Sequence, residues 1–93
     1  VVTLIPFDNE EDAIQIANES DYGLSATIWT EDKERATRVS NQVEAGVIWV
    51  NCWLVRDLRT PFGGMKQSGM GREGGSEALR FFTEQKNVCT SIT

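Results

Sequence analysis

The order of apolar and polar positions divides this chain into short alternating elements as far as Asn51. Val1–Phe7, VVTLIPF, is apolar and β-branched, which predicts a buried strand stopped near Pro6. Asp8 has the chemistry of a helix N-cap, and Glu11, three residues on, completes a capping box. The helix that follows is predicted to run to about Ser20, with Ala13, Ile16 and Ala17 on its buried face at i, i+3, i+4 spacing. Acidic residues crowd its first turn, where the helix dipole favours them. Leu24–Trp29 reads as a second strand, and Thr30 as the cap of a second helix carrying an Ala36, Val39, Val43 stripe. Gly46 stops that helix. Gly46–Asn51, GVIWVN, is apolar enough for a strand buried on both faces. The predicted order is β-α-β-α-β, an α/β fold with a parallel sheet in three layers and right-handed crossovers.

After Asn51 the character changes. Cys52–Gly75 is a loop of 24 residues, and six of the eight glycines of the chain fall within Pro61–Gly75, PFGGMKQSGMGREGG. Glycine concentrates where the backbone turns through positive φ or where another group approaches closely. A loop this long inside a compact domain is usually functional. It leaves the carboxyl end of a parallel strand, where open α/β sheets place ligands. A short helix over Ser76–Phe82 and a final strand over Asn87–Ile92 complete the pattern. No internal repeat or low-complexity segment interrupts it.

With 93 residues the chain is long enough for one small domain. Its net charge of −5 argues against a nucleic-acid or anionic-membrane surface, since phosphate binding needs clustered Lys and Arg. No apolar run approaches the roughly 20 residues of a membrane span, and no signal peptide is recognised. There is no histidine, which removes His-based general-base catalysis and most zinc sites. Cys52 and Cys89 are too few for a disulfide scaffold and lack metal-ligand spacing, so reduced cysteines in a cytoplasmic protein are expected. The start on Val1 without Met suggests part of a longer protein; the alternative is an ordinary N-terminus lacking a few residues.

Gly69-Met70-Gly71-Arg72-Glu73-Gly74 matches G-x-G-x-x-G ahead of a helix. A dinucleotide fingerprint also needs a preceding buried strand and an acidic residue about 20 positions on. Met65-Lys66-Gln67-Ser68 is not such a strand, and position 91 is serine. The motif is expected to be a tight turn, and no cofactor is expected on this segment by itself.

GVIWVN, then PFGGMKQSGMGREGG ten residues later, a short helix and TEQKNV together resemble the C-terminal segment of aldehyde dehydrogenases. VVTLIPF with its capped helix and YGLSATIWT with the helix after it look like the same family's preceding elements. Within the family, CWLVRDLRT resembles the members that oxidise 2-hydroxymuconic and 2-aminomuconic semialdehydes, aldehydes that also carry a carboxylate. The resemblance implies NAD- or NADP-dependent oxidation of an aldehyde to an acid. In such enzymes a cysteine thiolate adds to the aldehyde, hydride leaves to the nicotinamide, and a glutamate-activated water hydrolyses the thioester. That cysteine, that glutamate and the dinucleotide domain all lie upstream of the matching segment. Neither Cys52 nor Cys89 matches the nucleophile motif, and both are expected to be packed thiols.

By position, the resemblance implies that Leu54, Arg56 and Phe62 face the substrate. Phe62 corresponds to an aromatic near the reacting cysteine; the alternative is a core ring that locks the loop. Arg56 is expected to bind a substrate carboxylate through its guanidinium fork, the alternative being an ion pair with Asp57 or another nearby acid. Arg59 is a weaker second candidate. Trp53 is expected beneath the loop, and Lys66, Arg72 and Glu73 to fix the turn or meet a neighbouring segment. Residues 1–83 then belong to a catalytic domain and residues 84–93 to an oligomerisation strand. The implied partners are a small aldehyde, the rest of the enzyme chain, and copies forming a homodimer or homotetramer. A stand-alone structural or oligomerisation module is the competing reading.

Overall fold

A computed structural model describes residues 1–92. The fold is mixed α/β: α1 (Glu10–Asn18), β1 (Tyr22–Gly23), β2 (Ser25–Ile28), α2 (Lys33–Gln42), β3 (Val47–Val50), β4 (Met65–Lys66) and α3 (Gly75–Phe82). β2 and β3 pair in parallel with Ser25 opposite Val47 and Ile28 opposite Val50, so β2-α2-β3 is one crossover unit. β1 pairs with β4 antiparallel, Tyr22 opposite Lys66, which carries the glycine-rich loop back to the start of the crossover.

The helix starts differ by small shifts from the sequence expectation. Asn9 caps α1 in place of Asp8: its Oδ1 accepts the Asp12 N–H at 2.8 Å, while the Asp8 N–H bonds the Asp12 carboxylate at 3.1 Å. The cap thus sits one residue later than predicted, and Asp12 reaches back to the N–H of the residue before the cap and not to that of Asn9 itself. Asp32 caps α2 by accepting the N–H groups of Glu34 and Arg35. Thr30, the predicted cap, instead accepts the Asp32 N–H at 3.2 Å and orders the turn before the helix. Asn51 closes the crossover. Its side-chain amide accepts the Thr30 N–H and donates to the Thr30 carbonyl, both at 2.8 Å, tying the ends of β2 and β3 together. Asn51 does this at φ 53, a left-handed conformation that asparagine tolerates.

Two predicted strands do not form. Val1–Phe7 is not a strand and its large side chains lie exposed, so the expected β-α-β-α-β sheet is reduced to the β2-β3 pair. Asn87–Ile92 is likewise not a strand; position 93 lies outside the described residues. The reason is the same at both ends. A strand exists only where its N–H and C=O groups meet a neighbouring ladder, and among the described residues β2 and β3 pair with each other and with nothing else. The segment predicted as structureless, Cys52–Gly75, gains order from β4 and from an antiparallel bridge between Phe62 and Glu73.

Ala45 is the sole buried apolar side chain among the described residues. The radius of gyration is 18.7 Å, whereas a compact chain of this length has about 12 Å. An apolar groove of about 590 Å³ lies open between α1, β2 and α2, lined by Phe7, Ala13, Ile14, Ala17, Ile28 and Val43 among others. Ala13 and Ala17 line it as the helical spacing predicts, but the third apolar lining residue of α1 there is Ile14 and not the expected Ile16.

Candidate functional site

The loop between β3 and α3 is ordered by side chains that bond its backbone. Trp49, on β3, donates its indole N–H to the Val55 carbonyl at 2.8 Å and holds the outgoing arm. Asp57 organises the tip: its carboxylate accepts the Arg59 N–H at 2.9 Å, and its carbonyl accepts from the N–H and hydroxyl of Thr60. The returning strand is pinned by Phe62 and Glu73, which exchange two backbone hydrogen bonds of 2.7 Å each. The Gly75 N–H reaches the Leu58 carbonyl at 3.2 Å. Gly74 and Gly75, at φ 77 and 69, turn the chain into α3 against the backbone of Arg59 and Thr60, where a side chain has no room.

Two cations hold the glycine-rich turn from inside. Arg72 donates to the carbonyls of Gly64 and Gly71 at 2.7 and 2.8 Å. Lys66 donates to the carbonyls of Asn18 and Ser20 at 2.8 and 3.0 Å and pairs with Glu44 at 2.5 Å. Both sequence expectations for these residues, a fixed turn and a link to a neighbouring segment, hold together.

The donors that a G-x-G-x-x-G phosphate cradle would present are partly spent within the loop. The Glu73 N–H bonds Phe62 and the Gly75 N–H bonds Leu58. The strand before the motif, β4, is two exposed residues long, and Gly71 has open space around it where a close backbone approach would leave none. These residues do not fit a dinucleotide.

Arg56 and Phe62 meet directly. The guanidinium carbon lies 4.7 Å from the centre of the Phe62 ring, a cation–π geometry. Arg56 Nη2 also lies 3.4 Å from Glu73 Oε1. Arg56 is 49% exposed and Glu73 65%, so this ion pair is open to solvent and weak. Glu73 is thus the nearby acid of the alternative reading of Arg56, while Asp57, the other acid named there, is engaged by Arg59 at 2.7 Å. That hydrogen-bonded pairing holds the Asp57 carboxyl below its ordinary range and raises the Arg59 guanidinium. Phe62 is half-buried, between the core ring and the pocket ring that the sequence left open. Leu54 stands earlier on the same arm, 61% exposed, with its backbone at φ 57.

Other expectations shift. Trp53 is exposed, and Trp49 holds the loop arm in its place. Cys52 is half-buried, whereas Cys89 is exposed, because the strand expected to pack it does not form. Among the described residues no group of His, Cys, Asp or Glu is placed to hold a metal, and no helix is long and apolar enough to cross a membrane. Sequence reasoning did not single out Trp49 or Asn51. Both sit inside GVIWVN, where a strand pattern masks the polar atoms that bond the neighbouring loops.

The profile of the aldehyde dehydrogenase family matches residues 1–88. The chain belongs to the aldehyde dehydrogenase family. This aldehyde dehydrogenase segment is 61% identical over 87 residues to 2-hydroxymuconic semialdehyde dehydrogenase of Pseudomonas sp. strain CF600, a match covering 94% of the segment and 18% of that protein. It is 57% identical over 88 residues to 2-aminomuconic semialdehyde dehydrogenase of Danio rerio, covering 95% and 18%. In three dimensions it superposes with a TM-score of 0.82 on a point mutant of betaine aldehyde dehydrogenase from Staphylococcus aureus in complex with NAD+. The identity there is 44%, over 85% of the segment and 16% of that chain. The segment thus spans about a fifth of the length of the curated relatives it matches.

Proposed function

We propose that this segment supplies the substrate-recognising arm of an NAD- or NADP-dependent aldehyde dehydrogenase that oxidises a carboxylate-bearing semialdehyde, of the 2-hydroxymuconic or 2-aminomuconic type, to the corresponding acid. The observation that carries the reading is Arg56, stacked on Phe62 with its guanidinium half-open to solvent. A planar fork with five donors is suited to a carboxylate, and one contact with Glu73 leaves most of those donors available. Support for the substrate type comes from the muconic semialdehyde dehydrogenases among the relatives.

In this reading Arg56, seated on the Phe62 ring, binds the carboxylate at the far end of the substrate, Phe62 keeps water from the pocket, and Leu54 lines it from earlier on the same arm. Fixing the far end orients the aldehyde carbon for attack, an entropic contribution. The nucleophilic cysteine, the glutamate base and the dinucleotide site belong to the remainder of the enzyme, where NAD or NADP accepts the hydride. Residues 1–83 form part of the catalytic domain. Residues 84–93 reach a partner copy in a homodimer or homotetramer, for which the exposed residues 84–92, free of helix and strand, are suited by adding to a sheet edge. The near absence of a buried core and the open groove beside α1 favour this reading over a self-sufficient module. The surfaces need cover, and the rest of the catalytic domain supplies it.

The test is Arg56→Ala in the full-length enzyme carrying this segment. Loss of a charge-assisted contact costs on the order of 1.5–3 kcal/mol, or roughly a 10- to 150-fold drop in kcat/KM for the carboxylated semialdehyde. An aldehyde without a carboxylate should be spared. Equal loss on both substrates would sink the assignment.

A further inference from the structure

We propose that Glu73 is a positioning residue for substrate selection: it orients the Arg56 guanidinium so that one edge is presented to the incoming carboxylate. The inference rests on the reading of Arg56 as the carboxylate-binding group.

Phe62 and Glu73 are directly opposed in an antiparallel bridge, joined by two backbone hydrogen bonds of 2.7 Å. Side chains directly opposed in such a pair lie on the same face of the ladder. The ring and the carboxylate therefore rise from the same face of one bridge, and Arg56 touches both. The ring, 4.7 Å from the guanidinium carbon, restrains the height and tilt of the guanidinium plane. It does not restrain rotation within that plane, because a cation–π attraction has no in-plane direction. Glu73 Oε1, 3.4 Å from Nη2, supplies that missing restraint.

The geometry leaves the selector usable. Nη2 carries two hydrogens, one on the edge it shares with Nε and one on the edge it shares with Nη1. A single contact at Nη2 leaves one two-donor edge complete for a bidentate carboxylate. Glu73 also brings a negative charge near the incoming anion. With both partners about half exposed, solvent screens that repulsion, and the orienting effect governs. Arg59 offers no such arrangement: its Nε and Nη2 are both turned on Asp57, and the pair stands at the exposed loop tip.

The experiment is steady-state kinetics of the full-length enzyme with 2-hydroxymuconic semialdehyde and with hexanal, for Glu73→Ala, Glu73→Gln, Arg56→Ala and the Arg56→Ala/Glu73→Ala double variant. Glu73→Ala should raise KM for the carboxylated substrate about 3- to 10-fold with little change in kcat, and leave KM for hexanal unmoved. Glu73→Gln keeps an acceptor oxygen and should restore the larger part of the loss. In the Arg56→Ala background, Glu73→Ala should add nothing, since the group it orients is gone. A KM that falls or stays constant in Glu73→Ala, or that changes equally for both aldehydes, overturns the role of Glu73 while leaving Arg56 intact. Retention of the carboxylate preference in Arg56→Ala itself overturns both.

Discussion

Lys66 Nζ lies 2.8 Å from the carbonyl oxygen of Asn18, the last residue of α1. α1 carries no basic residue in its own last turn, so its terminal carbonyls meet a cation from a loop 48 residues away. The same ammonium bonds the Ser20 carbonyl and pairs with Glu44, beside the point where the Asn18 side chain joins the end of α2 through Gln42 and Glu44. One side chain thus fastens the glycine-rich loop to both helix ends.

Lys66→Met should therefore destabilise the enzyme without touching the substrate pocket. Three bonds to one partly buried ammonium are lost, and removal of charged hydrogen bonds costs about 1.5–3 kcal/mol. Urea unfolding of the full-length protein measures this, and an unchanged midpoint would show that the cap contributes nothing.

Gly46→Ala should be worse tolerated than its modest size suggests. A Cβ there would overlap the Gly63 carbonyl, which is backbone and has nowhere to retreat. Overpacking of this kind costs about 1–3 kcal/mol or more. Soluble yield and melting temperature equal to those of the parent would contradict the close approach of β3 to the loop.

Acid should loosen the α1–α2 contact in a defined window. Glu10 bonds Arg38 at 2.8 Å and Arg35 at 3.2 Å, and the Arg38 hydrogen bond chiefly holds its carboxyl below the ordinary value. A lowered folded-state pKa stabilises the fold above the unfolded value of about 4.3 and is lost as pH falls through the folded value. The backbone N–H bond from Arg35 lowers Asp32 in the same sense. The contact should persist at pH 5 and weaken below about pH 4. Glu10→Gln should flatten this acid limb in a thermal-shift series; an identical profile would refute the linkage.

Cys52→Ser should leave substantial turnover. Cys52 is half-buried at the start of the loop, while the nucleophile of the proposed reaction belongs to the upstream part of the enzyme. Complete loss of activity with an intact fold would make Cys52 a reacting group and reverse this assignment.

The residues of local structure were legible in the sequence to within a few positions. The α2 stripe, the GVIWVN strand and the helix after the glycines all appear, because periodicity, capping chemistry and glycine act over one or two turns. Val1–Phe7 and Asn87–Ile92 read equally well as strands and are not. Their propensity is real, but a strand is a property of a pair, and neither segment joins a sheet among the described residues. The candidate site was legible as types and positions: Arg56, Phe62 and Leu54 come from a matched pattern. That Arg56 stacks on Phe62, and that Glu73 17 residues away takes its free corner, has no local signature.

What the sequence determined by itself is the family, through the resemblance carried by PFGGMKQSGMGREGG and its flanking segments, and the identity of the side chains on the loop. The tertiary structure decided their pairing. It assigned Asp57 to Arg59 and Glu73 to Arg56, and it placed Lys66 under α1. Those choices depend on which distant backbones the Phe62–Glu73 bridge and the β1–β4 pair bring together, and contacts of that range are fixed only when the chain has closed on itself.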